Sequence, residues 1–184
     1  MNQKRLIIIG AGGHGKVCAD IALKMGDWQE IAFLDDDPTR KYSIGFPIIG
    51  EKRELEKYAN EYDIFVAVGA NSMRAEIISK LEKQSINIPT LIHPDAILGH
   101  GVSIGAGTVV SAGTVINPCV NIGKGCIVNT GSTIDHDCVI DDYVHVSPGV
   151  HIAGSVSIGS FTWLGIGSVV SNNIIITGGC TIGA

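Results

Sequence analysis

The sequence predicts an α/β unit followed by a left-handed parallel β-helix. Two observations support this prediction. Every sixth residue from Leu98 to Ile182 is a branched aliphatic, which is a hexapeptide repeat. Before the repeat, apolar β-branched runs alternate with amphipathic stretches, which is typical of strands alternating with helices. The predicted units are residues 1–88 and residues 89–184.

Three strands and three helices are predicted in the first unit. The strands are residues 5–9, 30–34 and 63–68, and the helices are residues 16–25, 51–58 and 72–83. Alternation of elements at these lengths predicts a small parallel sheet with helices on its faces. The polar segment that ends at Gly50 contains proline and glycine, and it is predicted to be irregular.

A glycine-rich turn joins the first strand to the first helix. Gly10, Gly12 and Gly15 satisfy the spacing G-x-G-x-x-G. Asp35 follows at about the distance at which a dinucleotide fold places its ribose-binding acid. The spacing alone is a weak indication of an NAD dehydrogenase, because a full dinucleotide fold needs two βαβαβ halves. With so few strands, the first unit is predicted to be Rossmann-like and to hold half of such a ligand.

The same turn offers a site for phosphate. The backbone N–H groups of Gly12, Gly13 and His14 lie at a predicted helix N-terminus, where the helix dipole and unpaired donors favour an anion. Glycine in this turn also permits close packing of the helix on the strand. The sequence leaves both interpretations open.

The six-residue period suits a coil with three short faces. Each face points one aliphatic at the axis and turns a corner on a small residue. Residues eighteen apart then stack at about 4.8 Å, the spacing of strands in a sheet. The left hand is inferred from the hexapeptide signature, against the usual right-handed crossover. A passive scaffold would need the same ladder, so function must be sought in other residues.

Composition argues against several classes of function. The 184 residues carry a formal net charge of −5 without a lysine and arginine cluster, which disfavours a nucleic-acid partner. The apolar run near the N-terminus is too short for a signal segment or a membrane span, so a cytoplasmic protein is predicted. Five cysteines without a C-x-x-C pair indicate neither a disulfide framework nor a zinc site.

The clearest departure from the repeat is the segment Asp135-His136-Asp137. A histidine between two carboxylates suits a general base, because a carboxylate bonded to one ring nitrogen raises the basicity of the other. His136 lies two residues after a ladder residue, so it is predicted to point outward from a corner. His100 holds the same position two coils earlier, about 9.6 Å away at strand spacing. His145 falls on another face.

A metal site is the alternative use of these histidines. His136, His145 and His151 could bind a metal at a trimer interface, as in the carbonic anhydrases of hexapeptide type. His145 and His151 are one hexad apart and so lie on adjacent faces, which is poor geometry for chelation by one chain. The prediction is therefore that no metal is bound, with a metal-dependent hydratase as an alternative function.

Four motifs spread over nearly the whole chain occur together in one known family. They are G-A-G-G-H-G at 10–15, L-D-D at 34–36, N-T-G-S-T-I-D-H-D-C-V-I at 129–140 and H-V-S-P-G-V at 145–150. Together they resemble the bacterial sugar acetyltransferases of the sialic acid O-acetyltransferase and UDP-4-amino-sugar N-acetyltransferase type. The resemblance implies acetyl-CoA as the donor and a homotrimer with active sites between subunits.

The resemblance also implies a role for each matching residue. His136 would be the general base, and Asp137 the acid that raises its basicity. The acceptor sugar would lie near Asn129 and Asp135. Its nucleotide would be bound by Gly12, Gly13, His14, Asp35, Asp36 and Gly69. Acetyl-CoA would contact His145, Ala153, Gly154, Ile166 and Ala184.

The predicted function is acetyl-CoA-dependent N-acetylation of an amino group on a nucleotide-activated sugar, such as a UDP-amino sugar, in bacterial glycan biosynthesis. Sialic acid O-acetylation and nucleotide binding by a non-catalytic scaffold are two competing hypotheses.

Two features depart from the family. Asp135 and Asp137 stand where the family often has a longer glutamate. The repeat stops in mid-hexad at Ala184, so we expect the natural chain to continue for further coils and this form to bind acetyl-CoA weakly.

Overall fold

A computed structural model describes residues 4–184. It divides into two compact units, one that ends at Leu91 and one that spans Ile92–Ala184. The first is α/β and the second consists of three parallel sheets of very short strands, so the predicted fold class is confirmed. No helix among residues 4–184 is both long enough and apolar enough to cross a membrane.

The first unit is built on one five-stranded sheet. Its strands are β1 (Arg5–Ile9), β2 (Glu30–Leu34), β3 (Tyr42–Ser43), β4 (Phe46–Gly50) and β5 (Asp63–Val66), in the order β3-β4-β2-β1-β5. The helices are α1 (Gly13–Met25), a 3₁₀ helix (Lys52–Lys57) and α2 (Asn71–Lys83). The apolar runs of β1, β2 and β5 form the buried centre of the sheet, since four parallel strands with helical crossovers bury both faces.

The segment that was predicted to be irregular contains β3 and β4. These strands form an antiparallel hairpin, and β4 also pairs with β2 in parallel. The turn between them places Ile44 at φ +40° and Gly45 at φ +88°. A proline at position 47 and a glycine in the turn hide the strands from a local pattern, because the pairing that forms β4 is long-range.

The second unit stacks coils of eighteen residues. Parallel partners such as Val115 and Thr133 are eighteen positions apart, as predicted. Sheet I comprises β7 (Ile97–Leu98), β10 (Val115–Ile116), β13 (Thr133–Ile134), β16 (His151–Ile152) and β19 (Val169–Val170). Sheet II comprises β8 (Ser103–Ile104), β11 (Asn121–Ile122), β14 (Val139–Ile140), β17 (Ser157–Ile158) and β20 (Ile175–Ile176). Sheet III comprises β6 (Leu91–Ile92), β9 (Val109–Val110), β12 (Ile127–Val128), β15 (His145–Val146), β18 (Trp163–Leu164) and β21 (Thr181–Ile182).

The core of the second unit is the aliphatic ladder. From Val110 to Val170 every sixth residue is buried, and all belong to one hydrophobic cluster. Leu98 is 40% exposed because β7 is an edge strand of sheet I, so its side chain is covered by a neighbouring strand on one side only. The second residue of each interior strand therefore points inward, and the outward positions are left free for other chemistry.

Three corners connect the sheets, and each repeats every eighteen residues. The I/II corner comprises residues 99–102, 117–120, 135–138, 153–156 and 171–174. The III/I corner includes residues 129–132, 147–150 and 165–168. Residues at equal positions of successive coils form columns, so a side chain at one corner contacts the backbone or side chain of the coils before and after it.

Candidate functional site

The I/II corner at residues 135–138 holds a hydrogen-bonded Asp–His–Asp group. Nδ1 of His136 lies 2.8 Å from Oδ2 of Asp137. Oδ1 of Asp135 accepts a hydrogen bond of 2.9 Å from the backbone N–H of His136. Asp137 has a φ of +57°, a left-handed conformation that aspartate tolerates better than most residues. The corner thus places one carboxylate against the ring and one against the backbone of the same histidine.

The carboxylate of Asp137 decides which nitrogen of His136 is basic. A carboxylate only accepts hydrogen bonds, so the neutral ring carries its hydrogen on Nδ1 and presents the lone pair of Nε2. The hydrogen bond to Asp137, and then the charge of Asp135, raise the pKa of His136 above its ordinary value. The imidazole side chain is 57% exposed, so Nε2 belongs to a group that a ligand can reach.

Gly154 lies next to the His136 ring, one coil further along the same corner. A Cβ built at Gly154 would lie 2.7 Å from Nε2 and 2.8 Å from Cε1 of His136, closer than unbonded atoms approach. Gly154 is buried. The absence of a side chain at position 154 is therefore what allows the imidazole to occupy this position.

The sequence interpretation missed one residue of this corner, Asn117. Its Nδ2 donates a hydrogen bond of 2.9 Å to Oδ1 of Asp135. Asn117 lies eighteen residues before Asp135, so the coil length would have pointed to it. The hydrogen bonds from the His136 N–H, and then from Asn117, hold the pKa of Asp135 below its ordinary value, so this carboxylate is ionised at neutral pH.

The other predicted residues of the second unit lie elsewhere on the coils. Asn129 and Ile166 lie at the III/I corner, and Ala184 stacks there with its backbone N about 2.8 Å from where a Cβ of Gly165 would be. His145 is the first residue of β15 in sheet III and is buried. Of the predicted acetyl-CoA residues, only Ala153 and Gly154 lie at the His136 corner, so the chain does not bring the full set together by itself.

His145 forms part of an aromatic pair. Its ring stacks on Trp163 with centroids 4.7 Å apart and an angle of 11° between the planes. Nε1 of Trp163 donates a hydrogen bond of 2.9 Å to Oγ of Ser147. His151 lies on sheet I, where its Nδ1 is 2.9 Å from Oγ1 of Thr133. The three histidines of the metal hypothesis therefore lie at one corner and on two different sheets of the chain.

The glycines of the glycine-rich turn are of two kinds. Some are required by close packing, and others border open space. A Cβ at Gly15 would lie 1.9 Å from the carbonyl oxygen of Gly10, and Gly10 itself has a φ of +100°. A Cβ at Gly12 or Gly13 would meet no atom within 4 Å. Packing thus explains Gly10 and Gly15, but it does not explain Gly12 and Gly13. Gly12 is the N-cap of α1, and Gly13 and His14 are its first two residues.

The remaining nucleotide candidates lie at the same edge of the sheet. Oδ2 of Asp35 accepts a hydrogen bond of 2.7 Å from the N–H of Ala11, which ties the end of β2 to the glycine-rich turn. Asp36 pairs with Lys52, with 3.2 Å between Oδ2 and Nζ. The carbonyl of Gly69, after β5, accepts a hydrogen bond of 3.0 Å from buried Arg74. The carboxyl ends of three parallel strands therefore carry the predicted residues together.

Comparisons with known proteins agree with this description. Residues 5–81 match the family described as the PglD N-terminal domain. Over 110 residues the chain is 36% identical to UDP-N-acetylbacillosamine N-acetyltransferase of Bacillus subtilis (strain 168), and the match covers 57% of this chain and 50% of that protein. The chain thus spans about half the length of this curated relative.

Solved structures are similar over almost the whole chain. The acetyltransferase domain of PglB from Neisseria gonorrhoeae FA1090 is 41% identical with a TM-score of 0.95, and the match covers 99% of this chain and 89% of that one. That domain has also been solved with acetyl coenzyme A, at the same similarity. A mutant of GDP-perosamine N-acetyl transferase from Caulobacter crescentus, in complex with CoA and GDP-perosamine, is 34% identical with a TM-score of 0.92, covering 97% and 85% of the two chains.

A small α/β unit that is followed in the sequence by a β-helix of eighteen-residue coils defines a two-unit protein of the hexapeptide-repeat class. The extent and identity of the matches place it more narrowly. The chain belongs to the PglD-type sugar N-acetyltransferases.

We expect Asp137→Asn to lower the pKa of His136 toward its ordinary value. An asparagine has no negative charge, so the hydrogen bond that is the largest cause of the raised pKa of His136 becomes a weaker, neutral one. The measurement is an NMR titration of the His136 Cε1–H signal. Asp141→Asn is the control, because Asp141 is an exposed carboxylate at a different corner. A His136 pKa that stays the same or rises in Asp137→Asn would contradict the assignment.

Proposed function

We propose that the protein transfers the acetyl group of acetyl-CoA to an amino group of a nucleotide-activated sugar. The observation that supports this most directly is the His136–Asp137 pair at an exposed corner next to Gly154. The names of the relatives agree with it, since they include N-acetyltransferases of UDP- and GDP-linked amino sugars. The likeness to the domain that binds acetyl coenzyme A supports the donor.

In this proposal His136 acts as the general base. An amino sugar is largely an ammonium ion near neutral pH and must lose a proton before or during attack on the thioester. Nε2 of His136 takes that proton, because Nδ1 is engaged by Asp137. The new amide bond forms as the C–S bond breaks, and the second proton of the nitrogen passes to the departing sulfur, so CoA leaves as the thiol. The raised pKa of His136 makes it a stronger base and moves the acidic limb of kcat/KM to higher pH.

The chemistry of the nearby residues fits a thioester donor. Ala153 and Gly154 are small residues at the His136 corner, and Ile166, at the III/I corner, offers an aliphatic side chain that is 62% exposed. We propose that these residues, with His145 and Ala184, hold acetyl-CoA. Acetyl-CoA supplies the activated acetyl group, whereas the chain supplies the base and the positions of the two substrates.

The carboxyl edge of the first unit is the proposed nucleotide site. The N-terminus of α1 offers the backbone N–H groups of Gly13 and His14 to a phosphate, and the open space at Gly12 and Gly13 lets a ligand approach the backbone. Asp35, after β2, and Gly69, after β5, would face the same ligand from the two strands that flank β1. We propose a UDP-amino sugar as the substrate, and a GDP-linked amino sugar is the alternative substrate to compare with it in the assay.

We further propose a homotrimer that acts in the cytoplasm. His136 and His145 lie on different parts of one coil stack, so a shared site requires a neighbouring subunit. The second unit also exposes large apolar side chains. They are Ile97, Leu98, Val139, Phe161, Trp163, Ile166, Val169, Ile174 and Ile175. Exposed apolar surface of this extent favours a protein partner, and a second copy of the chain is the one we propose.

Free-thiol release with acetyl-CoA and a panel of UDP- and GDP-linked amino sugars tests the function. We expect turnover with at least one amino sugar, and His136→Ala should lower kcat by about 10²–10⁴-fold with the sugar KM changed only a few-fold. His100→Ala, at the same corner two coils earlier, is the control and should stay active. Stabilisation by UDP without any turnover would instead favour a nucleotide-binding scaffold, and transfer only to sugar hydroxyl groups would favour O-acetylation.

Gly13→Val tests the nucleotide site. A side chain at position 13 meets no protein atom, so the thermal midpoint should stay near that of the wild type, whereas the dissociation constant for UDP should rise about tenfold or more because backbone approach is blocked. Calorimetric titration with UDP and with acetyl-CoA separates the two ligands. Gly15→Ala is the contrasting variant, since its Cβ collides with Gly10 and should destabilise the fold. Equal weakening of both ligands by Gly13→Val would reject the assignment.

Subunit mixing tests the shared site. His136→Ala and His145→Ala subunits are each expected to be impaired, but trimers assembled from both should regain activity in about one quarter of their sites, because random assortment pairs an intact His136 with an intact His145 at that frequency. The measurement is activity after co-refolding at equal amounts, with each variant refolded alone as control. No recovery, or a monomer by light scattering, would contradict the shared site.

A further inference from the structure

We propose that Asn117 is a positioning residue of the I/II corner that contains His136. It holds the Asp135 carboxylate in place to receive the ammonium group of the acceptor sugar. The inference rests on the proposed function and adds to it the group that selects an amine. Asn117 lies one coil before Asp135 at the I/II corner. It acts through Asp135 and is assigned no contact with the reacting atoms.

The backbone on both sides of this contact is held by the coil ladder. The N–H of Asn117 donates to the carbonyl of Ile134 at 2.9 Å, and the N–H of Asp135 donates to the carbonyl of Ile152 at 2.9 Å. Ile134 and Ile152 are buried ladder residues. Two side chains that leave such a backbone at equal positions of successive coils are already close, so little conformational entropy is lost when the amide and the carboxylate bond.

The hydrogen bonds at Asp135 leave one oxygen for a ligand. Oδ1 accepts from both Nδ2 of Asn117 and the backbone N–H of His136, each at 2.9 Å. Within residues 4–184, no protein hydrogen bond is made to Oδ2 of Asp135. The two donors on Oδ1 prevent the carboxyl group from rotating, so Oδ2 is the oxygen that remains for a donor from outside the chain.

An ionised carboxylate of this kind suits an amine acceptor. An ammonium carries three donors and a positive charge, so a fixed carboxylate oxygen beside the base binds it and distinguishes it from a hydroxyl. The donors on Oδ1 also favour the charged form of Asp135, in agreement with its lowered pKa. Without Asn117, the carboxylate would keep its charge near neutral pH but would lose one of the two hydrogen bonds that orient it.

The repeat supplies a matched control for Asn117. On sheet II, Oγ of Ser103 donates a hydrogen bond of 2.7 Å to Oδ1 of Asn121, which also links side chains eighteen residues apart. Asn121 is exposed and lies on a strand, not at the His136 corner. Asn121→Ala therefore removes an inter-coil side-chain hydrogen bond of the same kind without touching Asp135.

Steady-state kinetics of Asn117→Ala tests the role. We expect the acceptor KM to rise about tenfold or more, because the carboxylate that binds the ammonium is no longer held in one orientation, while the acetyl-CoA KM and kcat change only a few-fold. Asn121→Ala should match the wild type. In an Asp135→Ala background, Asn117→Ala should have no further effect, because a residue that acts through Asp135 has nothing left to position. The same factor in both backgrounds would overturn the proposal.

A reciprocal swap separates positioning from stability. The double variant Asn117→Asp/Asp135→Asn keeps an amide beside a carboxylate but moves the negative charge one coil away. We expect a thermal midpoint near that of the wild type and an acceptor KM as high as that of Asn117→Ala. An acceptor KM equal to that of the wild type would reject the role. If the wild type acetylates no nucleotide amino sugar, the proposed function fails and this role fails with it. If the wild type is active and Asn117→Ala equals Asn121→Ala, this role alone fails.

Discussion

The rest of the second unit depends on the stacking of one inward aliphatic per hexad. Ile134 lies over Ile116 and under Ile152 in register, and all three are buried. A buried side chain of this size contributes about 1.5–3 kcal/mol, so the ladder stabilises the coils together with buried apolar corner residues such as Val120 and Val156. The same register places every outward residue directly above another, eighteen positions away. Corners can therefore carry polar groups with little cost to the core.

The candidate active corner uses this freedom in three successive coils. The imidazole of His136 requires a residue without a side chain at the equivalent position of the next coil, and this residue is Gly154. Asp137 provides the carboxylate at its Nδ1. The coil before it contributes Asn117, whose amide holds Asp135. The proposed general base, its proposed orienting acid and a second, hydrogen-bonded carboxylate thus come from short-range contacts along one column. Of the residues proposed for acetyl-CoA, only Ala153 and Gly154 lie at this corner, whereas His145, Ile166 and Ala184 lie elsewhere on the coils.

The glycine-rich turn shows why a motif alone does not decide function. G-x-G-x-x-G would suit a dinucleotide, yet two of its glycines are explained by contacts within the unit, since Gly15 packs on the backbone of Gly10. The open positions are Gly12 and Gly13, and Gly13 is not a glycine of that motif. The five-stranded sheet has only four parallel strands, too few for two mononucleotide halves. A single nucleotide at the carboxyl edge is the ligand that such a half-fold suits.

The sequence by itself determined the coil length, the inward ladder and the outward position of His136, because a six-residue period is a local property that needs no partner. It did not reveal β4, since that strand contains Pro47 and forms through pairing with a distant strand. The hydrogen bond from Asn117 to Asp135 and the contact of Gly154 with the imidazole also needed the tertiary structure. The eighteen-residue coil length puts Asn117 and Gly154 at the same corner positions as Asp135 and His136. The contacts themselves depend on side-chain orientation and on shifts of a few tenths of an ångström, which the repeat does not specify.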